Sequence, residues 1–121
     1  MNAVLPDPGV IDYSAAKGAL TNFCKSLSKE FGPRGVRVNT VSPGPVETAL
    51  WLGDDGVAAT VARAGDGDAA AVAKQAADAM VTGRFTRPQE VADVVLLLAS
   101  GHAGNVTGSD VVIDGGLVTT L

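Results

Sequence analysis

Thr107-Gly108-Ser109-Asp110-Val111-Val112-Ile113-Asp114-Gly115-Gly116 carries the pattern that decides the fold. Its centre, Val111 to Ile113, is β-branched and continuously apolar, entered from Gly108 and left through an Asp-Gly-Gly turn. A strand that is apolar on both faces needs cover on both faces, which is the condition of a strand in a parallel sheet. Upstream, Thr86-Arg87-Pro88-Gln89-Glu90 supplies a capping residue, an early proline and acidic charge, the features of a helix start. Val91, Val94, Val95, Leu98 and Ala99 follow at the spacing of one helical face, and Gly101 is placed to end the helix.

Further back, Val36-Arg37-Val38-Asn39-Thr40-Val41 is short and β-branched between Gly35 and Ser42-Pro43, and is expected to form a second strand. It follows a segment with helical periodicity from about Tyr13 to Phe31, opened by the turn signal Pro6-Asp7-Pro8-Gly9 and stopped by Gly32-Pro33. On that helix Ala16, Leu20, Phe23, Cys24, Leu27 and Phe31 share a stripe expected to pack on a core. Asn22, Lys25, Ser26 and Lys29 lie opposite. Between the two blocks, the middle stretch from Ala49 to Thr82, Ala-rich from Val57 to Met80, is expected to hold two short helices broken at Gly65-Asp66-Gly67-Asp68. Helix, strand, helical excursion, helix, strand is an α/β order, and the length of 121 residues suits a single domain.

Composition removes several classes of function. A formal charge of -4 with few, scattered basic residues offers no footprint for nucleic acid or an anionic membrane. The longest apolar run, Val94 to Ala99, falls far short of the roughly 20 residues a membrane helix needs, and no basic-then-apolar leader opens the sequence. A cytoplasmic location is expected. Cys24 is the single cysteine, so an internal disulfide and a structural zinc site are both excluded; it reads as a small core residue, with a reactive thiol as the alternative. The Asp66/Asp68 pair lacks the further oxygen ligands of a calcium loop, so no metal is expected, and Asp68 is placed to cap the next helix. His102, the only histidine, is expected at the surface.

The chemistry lies on the first helix. Tyr13 and Lys17 are four residues apart and share a helical face at the edge of the apolar stripe. An ammonium beside a phenol favours phenolate, which suits a general acid or base. The plain alternative is a snorkelling lysine and a half-buried tyrosine in the first turn.

Four stretches in this order resemble one family. Tyr13-Ser14-Ala15-Ala16-Lys17 is similar to the Tyr-x-x-x-Lys signature of the short-chain dehydrogenase/reductases. The run from Val36 through Ser42-Pro43-Gly44-Pro45-Val46-Glu47-Thr48 resembles that family's penultimate strand with its Pro-Gly-x-Val-x-Thr loop, and the stretches from Gly83 to Ala92 and from Thr107 to Gly116 resemble its last major helix start and last strand. The resemblance implies an incomplete doubly wound parallel sheet of Rossmann type, with only the last two strands clearly present. It also implies hydride transfer between NAD or NADP and a small carbonyl or alcohol substrate. Tyr13 would exchange the proton with the substrate oxygen, and Lys17 would bind the nicotinamide ribose. Pro43, Gly44, Val46 and Thr48 would line the nicotinamide, with the Val46 backbone and the Thr48 hydroxyl meeting the carboxamide. Residues 49–82 would form a lid over the substrate.

Two parts of the family pattern have no counterpart. No glycine cluster lies between a strand and a following helix, where a dinucleotide pyrophosphate would approach. No serine stands a dozen residues before Tyr13, where Met1-Asn2-Ala3 begins the chain, and Ser14 lies about 100° from Tyr13 around the helix. The chain is therefore expected to be truncated, to bind cofactor poorly and to turn over little by itself. The alternative is a non-catalytic remnant that oligomerises or complements a separate N-terminal half. With two strands exposing edges and an apolar face, it is expected to form a homo-oligomer, by exchanging helices or strands, rather than a stable monomer.

Overall fold

Helix α1 runs from Ile11 to Phe31, and it ends as the sequence requires: Pro33 has no amide to continue the ladder, and Gly35 adopts the left-handed φ of 78°. The computed structural model describes residues 8–119, so Met1 to Ala3 and the Pro6-Asp7 half of the expected turn lie outside the described residues. Pro8–Val10 forms a short 3-10 turn before the helix. Six further elements follow: β1 (Thr40–Pro43), α2 (Ala49–Leu52), α3 (Val57–Ala64), α4 (Ala69–Asp78), α5 (Pro88–Ala99) and β2 (Asp110–Ile113). β1 and β2 pair as a two-stranded parallel sheet, the Thr40 amide donating to Ser109 and the Gly44 amide to Ile113, each at 2.9 Å. The expected α/β class and partial Rossmann-like sheet hold.

The chain divides into two units, residues 1–42 with 92–112 and residues 43–91 with 113–121. In the first unit, β1 begins four residues later than the β-branched run suggests, at Thr40 instead of Val36. The reason is the partners available to Val36–Asn39. The Val38 amide donates to the Thr107 hydroxyl, Arg37 donates to the Ser100 and Val106 carbonyls, and Asn39 bonds Val106 and Ser109. The Val38 carbonyl does accept from the Gly108 amide at 2.7 Å, but the Val38 amide goes to the Thr107 side chain, so the regular ladder begins only where the Thr40 amide meets Ser109.

The face of α1 that is buried is not the one the periodicity selects. Ser14 and Ser28 are buried, while Leu20 and Phe23 of the apolar stripe are 48% and 59% exposed. The small polar face wins because it meets backbone. Gly108, at φ 67°, sits so close that a Cβ there would lie 2.5 Å from Ser28 Oγ, and Lys25, expected on the solvent side, donates to the Gly108 carbonyl at 2.7 Å. Cys24 is half-buried and lines a cleft of about 340 Å³ with Thr21, Thr40 and Asp110. β2 likewise departs from the expectation of cover on both faces: its exposure alternates, Val111 and Ile113 half-buried and Val112 open. His102 is exposed in a 3-10 turn, Gly101–Ala103, capped by the Ser100 hydroxyl.

The second unit has a conventional apolar centre. Ala58 and Ala62 on α3, with Met80 and Phe85, are buried, and Trp51 meets Phe85 edge-on with ring centroids 5.4 Å apart. α3 packs on α2 and α4, so residues 49–82 hold three helices where two were expected. Asp68 caps α4 as expected, its carboxylate accepting from the Ala71 amide at 3.1 Å. At the start of α5 the capping differs from the expectation. Arg87 occupies the cap position, and its amide donates to Glu90 at 2.7 Å, the reciprocal half of a capping box. Thr86 is thereby released for another contact.

Candidate functional site

The first unit carries Tyr13 and Lys17 in the first two turns of α1. Four-residue spacing stacks them, and the Lys17 ammonium lies over the Tyr13 ring, 5.1 Å from its centroid. At an exposed site such a contact contributes about 0.5–1 kcal/mol. Tyr13 is 51% exposed, so its hydroxyl is open to a small molecule, and Lys17 is half-buried with its charge held beside the phenol. Ser14 is buried, turned away from the Tyr13 side of the helix.

The second unit carries Pro43, Gly44, Val46 and Thr48 as one loop leaving β1. Gly44 is required by close approach: a Cβ there would lie 2.8 Å from Asp114 Cβ and 2.9 Å from Asp114 Cα. Pro45 is buried, and its carbonyl accepts from the Thr86 amide at 3.0 Å, while the Glu47 amide donates to the Thr86 carbonyl at 2.9 Å. Val46 and Thr86 thus oppose each other in a parallel bridge in which Thr86 uses both of its backbone groups. The Val46 amide makes no hydrogen bond among the described residues, and the Val46 carbonyl accepts from the Thr48 amide at 2.8 Å. Thr48 stands at the cap position of α2, yet its hydroxyl caps nothing and reaches only the Val46 carbonyl, at 3.4 Å. A free amide beside a weakly engaged hydroxyl offers donor and acceptor together, which complements a carboxamide.

Sequence reading did not single out Thr86 and Asp114. Thr86 is buried, and its hydroxyl donates to the Ile113 carbonyl at 3.3 Å. Asp114 is also buried, its carboxylate accepting from the Gly116 and Val118 amides. The only sequence signal for Asp114 was its place before Gly115-Gly116, and Thr86 read as a helix cap. Nearby, Arg84 grips Glu90 through both guanidinium ends, at 2.6 and 2.9 Å. These bonds and that from the Arg87 amide lower the Glu90 carboxyl to about 2, and Glu90 in turn raises Arg84.

Comparison with known proteins identifies the family. The family model described as enoyl-(acyl carrier protein) reductase, a short-chain dehydrogenase/reductase model, matches residues 2–118. The short-chain reductase protein NovJ of Streptomyces niveus is 38% identical over 108 residues, covering 89% of this chain and 38% of that protein. The crystal structure of a short-chain dehydrogenase family protein from Francisella tularensis superposes with a TM-score of 0.89 at 29% identity, covering 98% of this chain and 48% of the other. L-sorbose reductase from Gluconobacter frateurii, complexed with NADPH and L-sorbose, gives 0.85 at 32% identity, covering all of this chain and 45% of the other. This chain thus spans less than half the length of these relatives. No described helix is long and apolar enough to cross a membrane.

Proposed function

The chain belongs to the short-chain dehydrogenase/reductase family, and on that premise we propose that it serves NAD(P)-linked interconversion of a small carbonyl compound and its alcohol. The observation that carries this is the stacked Tyr13–Lys17 pair with its phenol open to a ligand. In the reductive direction the Tyr13 hydroxyl gives its proton to the substrate oxygen as the carbonyl becomes an alcohol, and in the oxidative direction the phenolate takes it back. Lys17 holds positive charge beside the phenolate form and reaches the ribose hydroxyls. The Val46 amide and Thr48 hydroxyl hold the carboxamide, and Pro43 and Gly44 line the ring. When bound, the nicotinamide supplies or accepts the hydride. Residues 49–82, built as α2, α3 and α4, cover the substrate.

No Gly-rich turn in this sequence takes up a pyrophosphate, so coenzyme affinity of the chain alone rests on the nicotinamide end and is weak. Self-association belongs to the same reading, supported by the open apolar residues Leu20 and Phe23 on α1 and Leu96 on α5. Light scattering that finds a monomer would remove that part. For the coenzyme, fluorescence titration with NADH and NADPH is expected to give saturable binding with Kd of roughly 1 mM, weakened by Lys17→Ala and Thr48→Val. Tyr13→Phe is expected to bind as wild type while losing on the order of 10²–10⁴ in any carbonyl reduction detected. Binding that Lys17→Ala and Thr48→Val leave unchanged would refute the assignment of the site.

A further inference from the structure

We infer that Thr86 is a positioning residue for the Pro43–Thr48 loop, acting through Ile113 and Pro45 without touching the coenzyme; this rests on the nicotinamide reading of that loop. Three contacts converge on it. The Thr86 amide and carbonyl clamp Pro45 and Glu47 on either side of Val46. Its hydroxyl and the Gly44 amide both donate to one acceptor, the Ile113 carbonyl, at 3.3 and 2.9 Å. Asp114, next along the chain, packs its Cα and Cβ against Gly44, so the loop cannot relax toward that side. The last strand's end, the loop and the residue before the α5 cap are therefore registered against one carbonyl.

This latch decides which loop groups stay free. By taking the Pro45 carbonyl and the Glu47 amide, Thr86 leaves the intervening Val46 amide without a partner among the described residues, ready for a ligand acceptor. A buried threonine is suited to the task, because its β-branch restricts the side chain while the hydroxyl holds the register. The Arg87–Glu90 capping interaction takes over at the helix start, which is why Thr86 is not spent there.

Amide hydrogen exchange on the whole chain tests this with no ligand present. Thr86→Val keeps shape and loses the hydroxyl; it is expected to speed exchange of the Glu47 and residue-86 amides about tenfold, with α3 and α4 unchanged. Thr86→Ser is expected to restore wild-type rates. Unchanged loop exchange in Thr86→Val, or acceleration spread evenly over α3 and α4, would overturn the role. A parallel titration with NADPH separates this from the coenzyme reading. Thr86→Val is expected to weaken NADPH about tenfold and Thr86→Ser to restore it. NADPH affinity that Thr86→Val leaves unchanged would overturn the role. If wild type binds no NADPH, the coenzyme reading fails while the exchange result still decides whether Thr86 sets the loop.

Discussion

Each of the two units has its own means of internal cohesion. The second closes around side chains: Met80, Phe85 and the alanines of α3 exclude water, and Trp51 seals one edge. The first closes around backbone. Among its described residues the buried ones are Ser14, Ser28 and Ala103, and its order comes from Lys25, Arg37 and Asn39 bonding carbonyls of residues 100–108. Of its large apolar residues, Leu20, Phe23, Leu96 and Leu97 stay at least 48% exposed, and Leu27, Phe31 and Leu98 are only half-buried. The difference teaches that an apolar stripe marks where cover would be favourable, whereas a glycine such as Gly108 marks where contact is already made.

Substitution should expose that contrast most sharply at the two phenylalanines. Phe85→Ala is expected to cost roughly 3–5 kcal/mol, and Phe23→Ala below about 1 kcal/mol, in chemical denaturation. Equal costs would mean that Phe23 is covered in solution. Next in size, Gly108→Ala forces a side chain into φ 67° and within 2.5 Å of Ser28 Oγ. A loss of roughly 2–4 kcal/mol is expected, centred on the first unit; a neutral result would show that α1 does not pack closely on that turn. Asp68→Ala removes the α4 cap and should cost about 1 kcal/mol, with faster exchange of the Ala71 amide. The smallest effect concerns Glu90, which is lowered from 4.5 to about 2 by Arg84 and the Arg87 amide. A carboxyl lowered in the folded state adds stability that is fully present above pH 4.5 and is lost as pH falls through about 2. The stability gap between wild type and Glu90→Gln should shrink across that window and shrink further in salt, because the pair is exposed. A gap that does not move with pH would remove the ion pair from the account.

How much of this was legible follows the range of the interactions. α1, the start of α5 and the Asp68 cap could be read because helix periodicity, an early proline and a capping carboxylate act within a few residues. Tyr13 over Lys17 was legible for the same reason, being a contact between neighbouring helical turns. β1 was misplaced at its start because Val38 and Asn39 find their partners about seventy residues away, in Val106, Thr107 and Ser109. Thr86 was read as a cap because Glu90 stands near it in sequence, while its hydroxyl partner, Ile113, is 27 residues distant.

By itself, then, the sequence determined the α/β order, the family signature around Tyr13 and Lys17, and the turn that Pro43-Gly44-Pro45 makes on leaving β1. Each is written in local spacing. Tertiary structure alone decided which face of α1 is buried, that Gly44 must be glycine because Asp114 lies against it, and that Thr86 bonds Pro45 and Glu47 on either side of Val46. Those outcomes depend on which distant backbone groups arrive opposite a residue. Hydrogen-bond satisfaction and close packing are settled only when they do.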